Sequence, residues 1–238
     1  MFKKITSVTL RARIAQQIRE AILSGALKEG SRLVERNLAA ELGASLTAVR
    51  EGLIELEWEG FIVKKKMSGT HVVKLSPADV EKIFRVREVL EAMAFGEAAR
   101  NATSDDISAL ERGYMEMVEA ARNRDPRLYN ERDVAWHQAV WRATNNEFLL
   151  AALKRAILPY FSYTAIRIFS VDPFVLYHDA SDHYPLLEAI RAHDPEAASA
   201  AFREKIANWL ASARAEAAAG KSEPVAAGGS SVKASHDA

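Results

Sequence analysis

The chain has 238 residues, 49% hydrophobic and 27% charged, which suits one large domain or a small one joined to a larger one. It holds no cysteine, which excludes disulfides, thiolate nucleophiles and thiolate metal sites. Its formal net charge of +0 is unevenly spread: residues 1–75 carry 13 Lys/Arg against 8 Asp/Glu, and residues 76–238 carry 19 against 24. A basic head on an acidic body suits contact with a polyanion. No apolar run reaches the ~20 residues of a membrane span. The start, "MFKKITSVTLRARIAQQ", lacks the continuous apolar stretch of a signal peptide, so a cytoplasmic protein with no membrane contact is expected.

In chain order, Leu10, Ile14, Ile18, Ile22 and Leu23 recur at helical spacing up to Gly25. "LKEGSRL" reads as a turn, and "VERNLAAELG" as a short helix ending at Gly43. Ser45 is placed to cap a helix running through Val49, Leu53, Ile54 and Leu56 to about Gly60. "FIVKKK", the turn "MSGT" and "HVVKL" then read as a two-stranded hairpin. Three helices followed by a hairpin form the winged helix-turn-helix pattern, assigned here to residues 1–75.

"SPADV" opens a second, all-α segment with Ser76 as cap and Pro77 at the first helical position. About six helices are expected, near 77–100, 104–123, 126–143, 146–169, 174–193 and 195–217, separated by Asn-, Asp- and Pro-rich breaks. This helical bundle, residues 76–217, is assigned effector binding and dimerisation. Residues 218–238 lack a core-forming pattern and read as a disordered tail.

A capped helix whose first turns leave a basic domain fits the DNA major groove, which admits one α-helix. Thr47 can then meet a base or phosphate, and Arg50 a guanine or phosphate. Free N–H groups behind Ser45 favour a phosphate. Arg32 and Arg36 can clamp the backbone, while Lys64, Lys65 and Lys66 line a wing whose tip, "SGTH", suits the adjacent minor groove. In the body, Asp133 and His137 of "DVAWH" leave one helix face and can converge on a divalent ion or simply on each other. His183 is a candidate third ligand. Arg87 can offer its planar fork to a carboxylate or pair with Glu91 one turn on. Tyr160, Tyr163, Arg167 and Trp136 or Trp141 can wall a cavity. His178 and His193 are assigned to the surface.

The stretch "IAQQIREAILSGALKEGSRLVERNLAAELGASLTAVREGLIELEWEGFI" resembles the N-terminal signature of GntR-type bacterial transcription regulators, over residues 10 to 75. "FRVREVLEAMAFGEAA" and "HYPLLEAIRAHDPEAASAAFREKI" resemble the C-terminal domain of the FadR subfamily. The resemblance implies a dimeric regulator, more often a repressor, that grips double-stranded operator DNA and is released by a small carboxylate. It supports Arg36, Thr47, Arg50 and Gly69 as DNA contacts. The family usually has Arg where Leu46 stands and often Pro where Ala48 stands; losing that arginine removes a contact worth ~1–3 kcal/mol. Leu46 can touch a thymine methyl instead.

Many such C-terminal domains also bind a metal of the zinc or nickel class through Asp, a His four residues on, and two further His. Asp133, His137 and His183 fall on three of these positions, and Lys205 replaces the fourth. A protonated Lys cannot ligate. Two arrangements stay open: a three-ligand site with Lys205 paired to Asp133 or to the effector, or Lys205 itself as the positive centre. A regulator sensing the metal itself is the alternative within the same fold. A metal hydrolase is a rival of a different class, but the chain shows no nucleophile or general-base constellation and is not expected to be an enzyme.

Overall fold

Helix α1 (Leu10–Leu23) buries Ile14, Ala15, Ile18 and Ile22, the face that its three- and four-residue spacing sets. In the computed structural model the described residues are 10–167 and 173–218. Their contacts divide into two units: one takes the chain up to Leu75 together with Leu158–Ile166, the other takes Ser76–Ile157 and the chain from Arg167 onward.

In the first unit α1 is followed by β1 (Arg32–Leu33), α2 (Glu35–Leu42), α3 (Leu46–Trp58), β2 (Ile62–Lys65) and β3 (Gly69–Val72). Val49, Leu53 and Leu56 of α3 meet the apolar face of α1, and Leu33, Leu38, Ile62 and Val72 close the core. The two helices approach so closely that a Cβ on Gly52 would lie 2.9 Å from Ile14 Cγ2. Helix α2 stops at Gly43, whose φ of +58° is the left-handed cap expected of glycine. The Ser45 hydroxyl accepts from the Ala48 N–H and starts α3.

The hairpin is part of a three-stranded antiparallel sheet in the order β1-β3-β2, with Arg32 opposite His71 and Val63 opposite His71 on the other side. The turn expected at "LKEGSRL" therefore ends in a strand. Two residues carry no alternation to read, and β1 exists only through pairing with β3. Residues 158–166 complete this unit: Ile166 packs on the core, and Ser162 Oγ donates to the Glu59 carbonyl at 2.7 Å.

The second unit comprises α4 (Pro77–Asn101), α5 (Ser104–Arg122), α6 (Pro126–Ala143), most of α7 (Glu147–Arg167), α8 (Pro173–Ser181), α9 (Tyr184–Arg191) and α10 (Pro195–Ala218). Capping boxes at Ser76/Asp79 and Thr103/Asp106 start α4 and α5, and Asp125 followed by Pro126 starts α6. The core is aromatic, with Phe84, Phe95, Trp136, Trp141 and Phe202 fully buried. Helices α4 and α10 touch at Gly96, where an added Cβ would lie 2.5 Å from Ser199 Oγ.

One expectation fails here. The segment 174–193 is two helices, because Pro185 lacks an N–H and tolerates only the first turn of a new helix. The break leaves His183 at the start of α9. The expected tail lies largely outside the described residues, as does the end of the helix expected to reach residue 169. Among the described residues no helix is long and apolar enough to cross a membrane.

Candidate metal centre and nucleic-acid interface

On the first unit the residues assigned to DNA lie on the surface. Arg32, Arg36, Ser45, Leu46, Thr47, Arg50, Lys66 and Gly69 are all exposed, Leu46 at 38%. Leu46 and Thr47 open α3, and Arg50 follows one turn on, held by Glu35 of α2 through a 2.6 Å Nε–Oε2 contact. Fifteen residues separate the two, so no local spacing in the sequence signals this pair. At the wing, Gly69 has φ +89° and passes under Arg32, whose Nε would stand 3.4 Å from an added Cβ. The structure thus brings Arg32 and the wing glycine together.

The tip is shorter than "SGTH" suggests. Thr70 is buried, and the His71 ring is tied to the Gly30 carbonyl at 3.2 Å and to Ser68 Oγ at 2.9 Å. His71 therefore braces the wing. Lys64 sits 2.7 Å from Glu57 of α3, leaving Lys65, Lys66 and Met67 to form the outward tip.

In the second unit three groups converge. Asp133 Oδ1 lies 3.1 Å from His183 Nε2 and 3.6 Å from His137 Nε2, and the two Nε2 atoms are 3.3 Å apart. Both rings are about 1% exposed. Each is fixed from behind: His137 Nδ1 is 2.8 Å from Glu91 Oε1, and His183 Nδ1 is 2.8 Å from the Asp179 carbonyl. The Asp179 carbonyl assigns the His183 ring proton to Nδ1. The Glu91 carboxylate beside His137 Nδ1, close but not aligned as a hydrogen bond, favours the same tautomer there, so both Nε2 lone pairs point at one place. Asp133 Oδ1 is buried there without an aligned hydrogen-bond donor.

Three acceptors around one point suit a cation. Ligand bonds of ~2.0–2.1 Å at tetrahedral angles require ligand–ligand edges of about 3.3 Å, close to the three observed. The residues present fit a divalent ion of the histidine-and-carboxylate class. Burial, reinforced by the positive charge of Lys205, holds the His183 pKa below its ordinary value. A neutral imidazole is the ligating form.

Lys205 pairs with neither Asp133 nor open space. Its Nζ donates to Asp179 Oδ1 at 2.8 Å, and Tyr129 donates its O–H to the other Asp179 oxygen at 2.5 Å. Burial alone would raise the Asp179 pKa, but Lys205 and His183 outweigh it and hold the carboxyl well below its usual range. The lysine's charge is thus balanced within the body, one residue removed from the three acceptors. Asp179 on α8 and Tyr129 on α6 carried no signal in the sequence for this role.

Arg87 is 5% exposed and donates Nε–H to Glu91 Oε2 at 2.5 Å, with its guanidinium 5.0 Å from the Phe84 ring centre. Glu91 also accepts from Trp141 Nε1 at 3.2 Å. Burial is the largest influence on Glu91 and would raise its pKa, yet Arg87 and His137 together bring it down to about 2. Arg87 therefore joins the centre through Glu91, which the sequence paired with Arg87 but not with His137. Trp136 and Trp141 flank the His137 ring, whereas Tyr160 and Tyr163 fall in residues 158–166 of the first unit. His178 is exposed, and the exposed His193 bonds the Ala99 carbonyl.

Residues 10–72 match the bacterial regulatory proteins of the gntR family, and residues 82–208 match the FCD domain. The chain is a GntR-family transcription regulator with an FCD domain. It is 29% identical over 208 residues to a probable D-xylose utilization operon transcriptional repressor of Paenarthrobacter nicotinovorans, covering 87% of this chain and 90% of that one. To the galactonate operon transcriptional repressor of Escherichia coli (strain K12) it is 26% identical over 222 residues, covering 82% and 93%. The solved structure of E. coli McbR/YncC shares the fold with a TM-score of 0.69 at 24% identity, covering 86% of this chain and 97% of that one. Members of the GntR family bind operator DNA, commonly as dimers, and are normally not enzymes. FCD domains confer ligand-responsive regulation and are often metal-associated.

Proposed function

We propose that this regulator is a dimeric repressor whose body holds a divalent ion of the zinc or nickel class on Asp133, His137 and His183, and is released from its operator by a small organic acid. The carrying observation is the meeting of Asp133 Oδ1 with the two histidine Nε2 atoms, all within 4.8 Å of one another. Such an ion would supply a Lewis-acid seat for a carboxylate at a position no protein ligand fills. Lys205, taking the fourth ligand's place, turns to Asp179 and leaves that corner open. The relatives' names support repression, and one names an operon for galactonate, the anion of a sugar acid.

Two heads would grip half-sites about one DNA turn apart, with Arg36, Thr47 and Arg50 at bases and phosphates and Arg32, Lys66 and Gly69 along the backbone. Arg87 holds Glu91 and thereby His137, rather than gripping the acid itself. The acid must favour one head-to-head spacing over another, since equal affinity shifts nothing. A coupling of ~1–3 kcal/mol is enough to release an operator.

Elemental analysis of purified protein dialysed against zinc or nickel is expected to find one ion per chain, lost in Asp133→Asn. In a mobility shift on operator DNA, a panel of sugar acids should weaken binding of the metal-loaded protein. A wild-type chain without bound metal would overturn the centre. Binding unmoved by every acid, but released by metal alone, would make the ion itself the signal.

A further inference from the structure

Helix α4 turns Phe84, Arg87, Glu91 and Phe95 into the body. Its other side leaves Val86 42%, Val89 67% and Met93 48% exposed. Spacings of three and four place these side chains on one line. The line continues through Lys82 and Asp79 before it and Glu97 and Arg100 after it. On the solvent face of a helix polar residues are the rule, and an apolar stripe this narrow is the seam along which two helices pack.

We propose that a second copy of this chain packs on this seam, α4 running antiparallel to the partner's α4 about a two-fold axis between Val89 and Leu90. Residues equally distant from that axis then face each other. Val86 meets the partner's Met93, Val89 meets the partner's Leu90, Lys82 meets the partner's Glu97, and Asp79 meets the partner's Arg100. Both charged matches have opposite sign. Parallel packing in register would set Lys82 on the partner's Lys82 and Glu97 on the partner's Glu97, so charge selects the antiparallel arrangement.

A two-fold interface must be complementary to itself, and this helix meets that requirement over six turns. Within one chain Lys82 lies 3.2 Å from Asp79, and Arg100 lies 3.0 Å from Glu97. Exposed pairs of this kind hold little free energy, so the charges can exchange partners across the seam. The inference rests on the two-headed reading above and adds the surface that joins the copies.

The test is the oligomeric state of the full chain, by light scattering and sedimentation. Wild type is expected to be a dimer, and Val89→Glu a folded monomer with unchanged circular dichroism and a cooperative melt, since Val89 lies outside the core, its melting temperature lowered only by what association contributes. Lys82→Glu should weaken the dimer by about tenfold, and Lys82→Glu with Glu97→Lys should restore most of that loss. Because the chain has no cysteine, Val86→Cys chains mixed with Met93→Cys chains report the register directly. Oxidation of the mixture is expected to give disulfide-linked dimers in greater yield than either variant alone. A dimer indifferent to Val89→Glu and to the charge exchange overturns this surface and leaves the two-headed reading intact. A wild-type monomer at the concentrations that saturate the operator overturns both.

Discussion

The chain holds two Arg–Glu pairs of nearly the same length in opposite surroundings. Arg50 and Glu35 in the head meet at 2.6 Å with side chains 61% and 35% exposed; Arg87 and Glu91 in the body meet at 2.5 Å with 6% and 0%. Water screens the first pair and leaves Arg50 able to turn from Glu35 toward a phosphate. The second has no such freedom, because losing either partner strands a charge in an apolar core. The head therefore keeps its charges available to an incoming polyanion, whereas the body uses its charges to fix side chains in place.

Breaking the buried pair should have the largest effect. Glu91→Ala is expected to cost ~3–5 kcal/mol in denaturant unfolding, because it leaves Arg87 buried and unpaired and releases His137. A cost below ~1 kcal/mol would mean that water reaches the site and the contrast is false. Acid should then trace the same group. The Glu91 pKa is depressed from an ordinary 4.5 to about 2, so its stabilisation is complete above pH 4.5 and fades as the pH falls toward 2. Glu91→Gln should flatten the acid limb of the stability curve in that window; an unchanged limb would place the acid-sensitive group elsewhere.

The head should show the smallest stability effect and a functional one instead. Arg50→Ala is expected to change unfolding free energy by ~0–1 kcal/mol. It should also weaken operator binding and, if the contact is to phosphate, lower the salt slope by about one. A large loss of stability with normal DNA binding would reverse the roles assigned to the two pairs.

The elements of the head were legible because their signals are local. Gly43 and Ser45 stop one helix and start the next through their own backbone and side-chain chemistry. The hairpin turns at Gly69, where φ is positive. β1 was not legible, since two residues become a strand only when β3 lies beside them. In the body, the four-residue spacing of Asp133 and His137 puts both on one face, His183 stands as a candidate third ligand, and the family resemblance sets all three on ligand positions. Pro185 marks the break before α9, but the apolar spacing of 174–193 reads through it.

The amino-acid order by itself settled where most helices begin and end, which face they bury, and that a basic winged head precedes an all-α body. These follow from capping, periodicity and proline geometry, which act within a few residues. Tertiary structure alone decided that Glu91 reaches His137 across 46 residues of chain and that Asp179 claims Lys205 across 26. No local rule selects a partner at that distance: burial forces each charge to find one, and only the packing of the helices determines which it is.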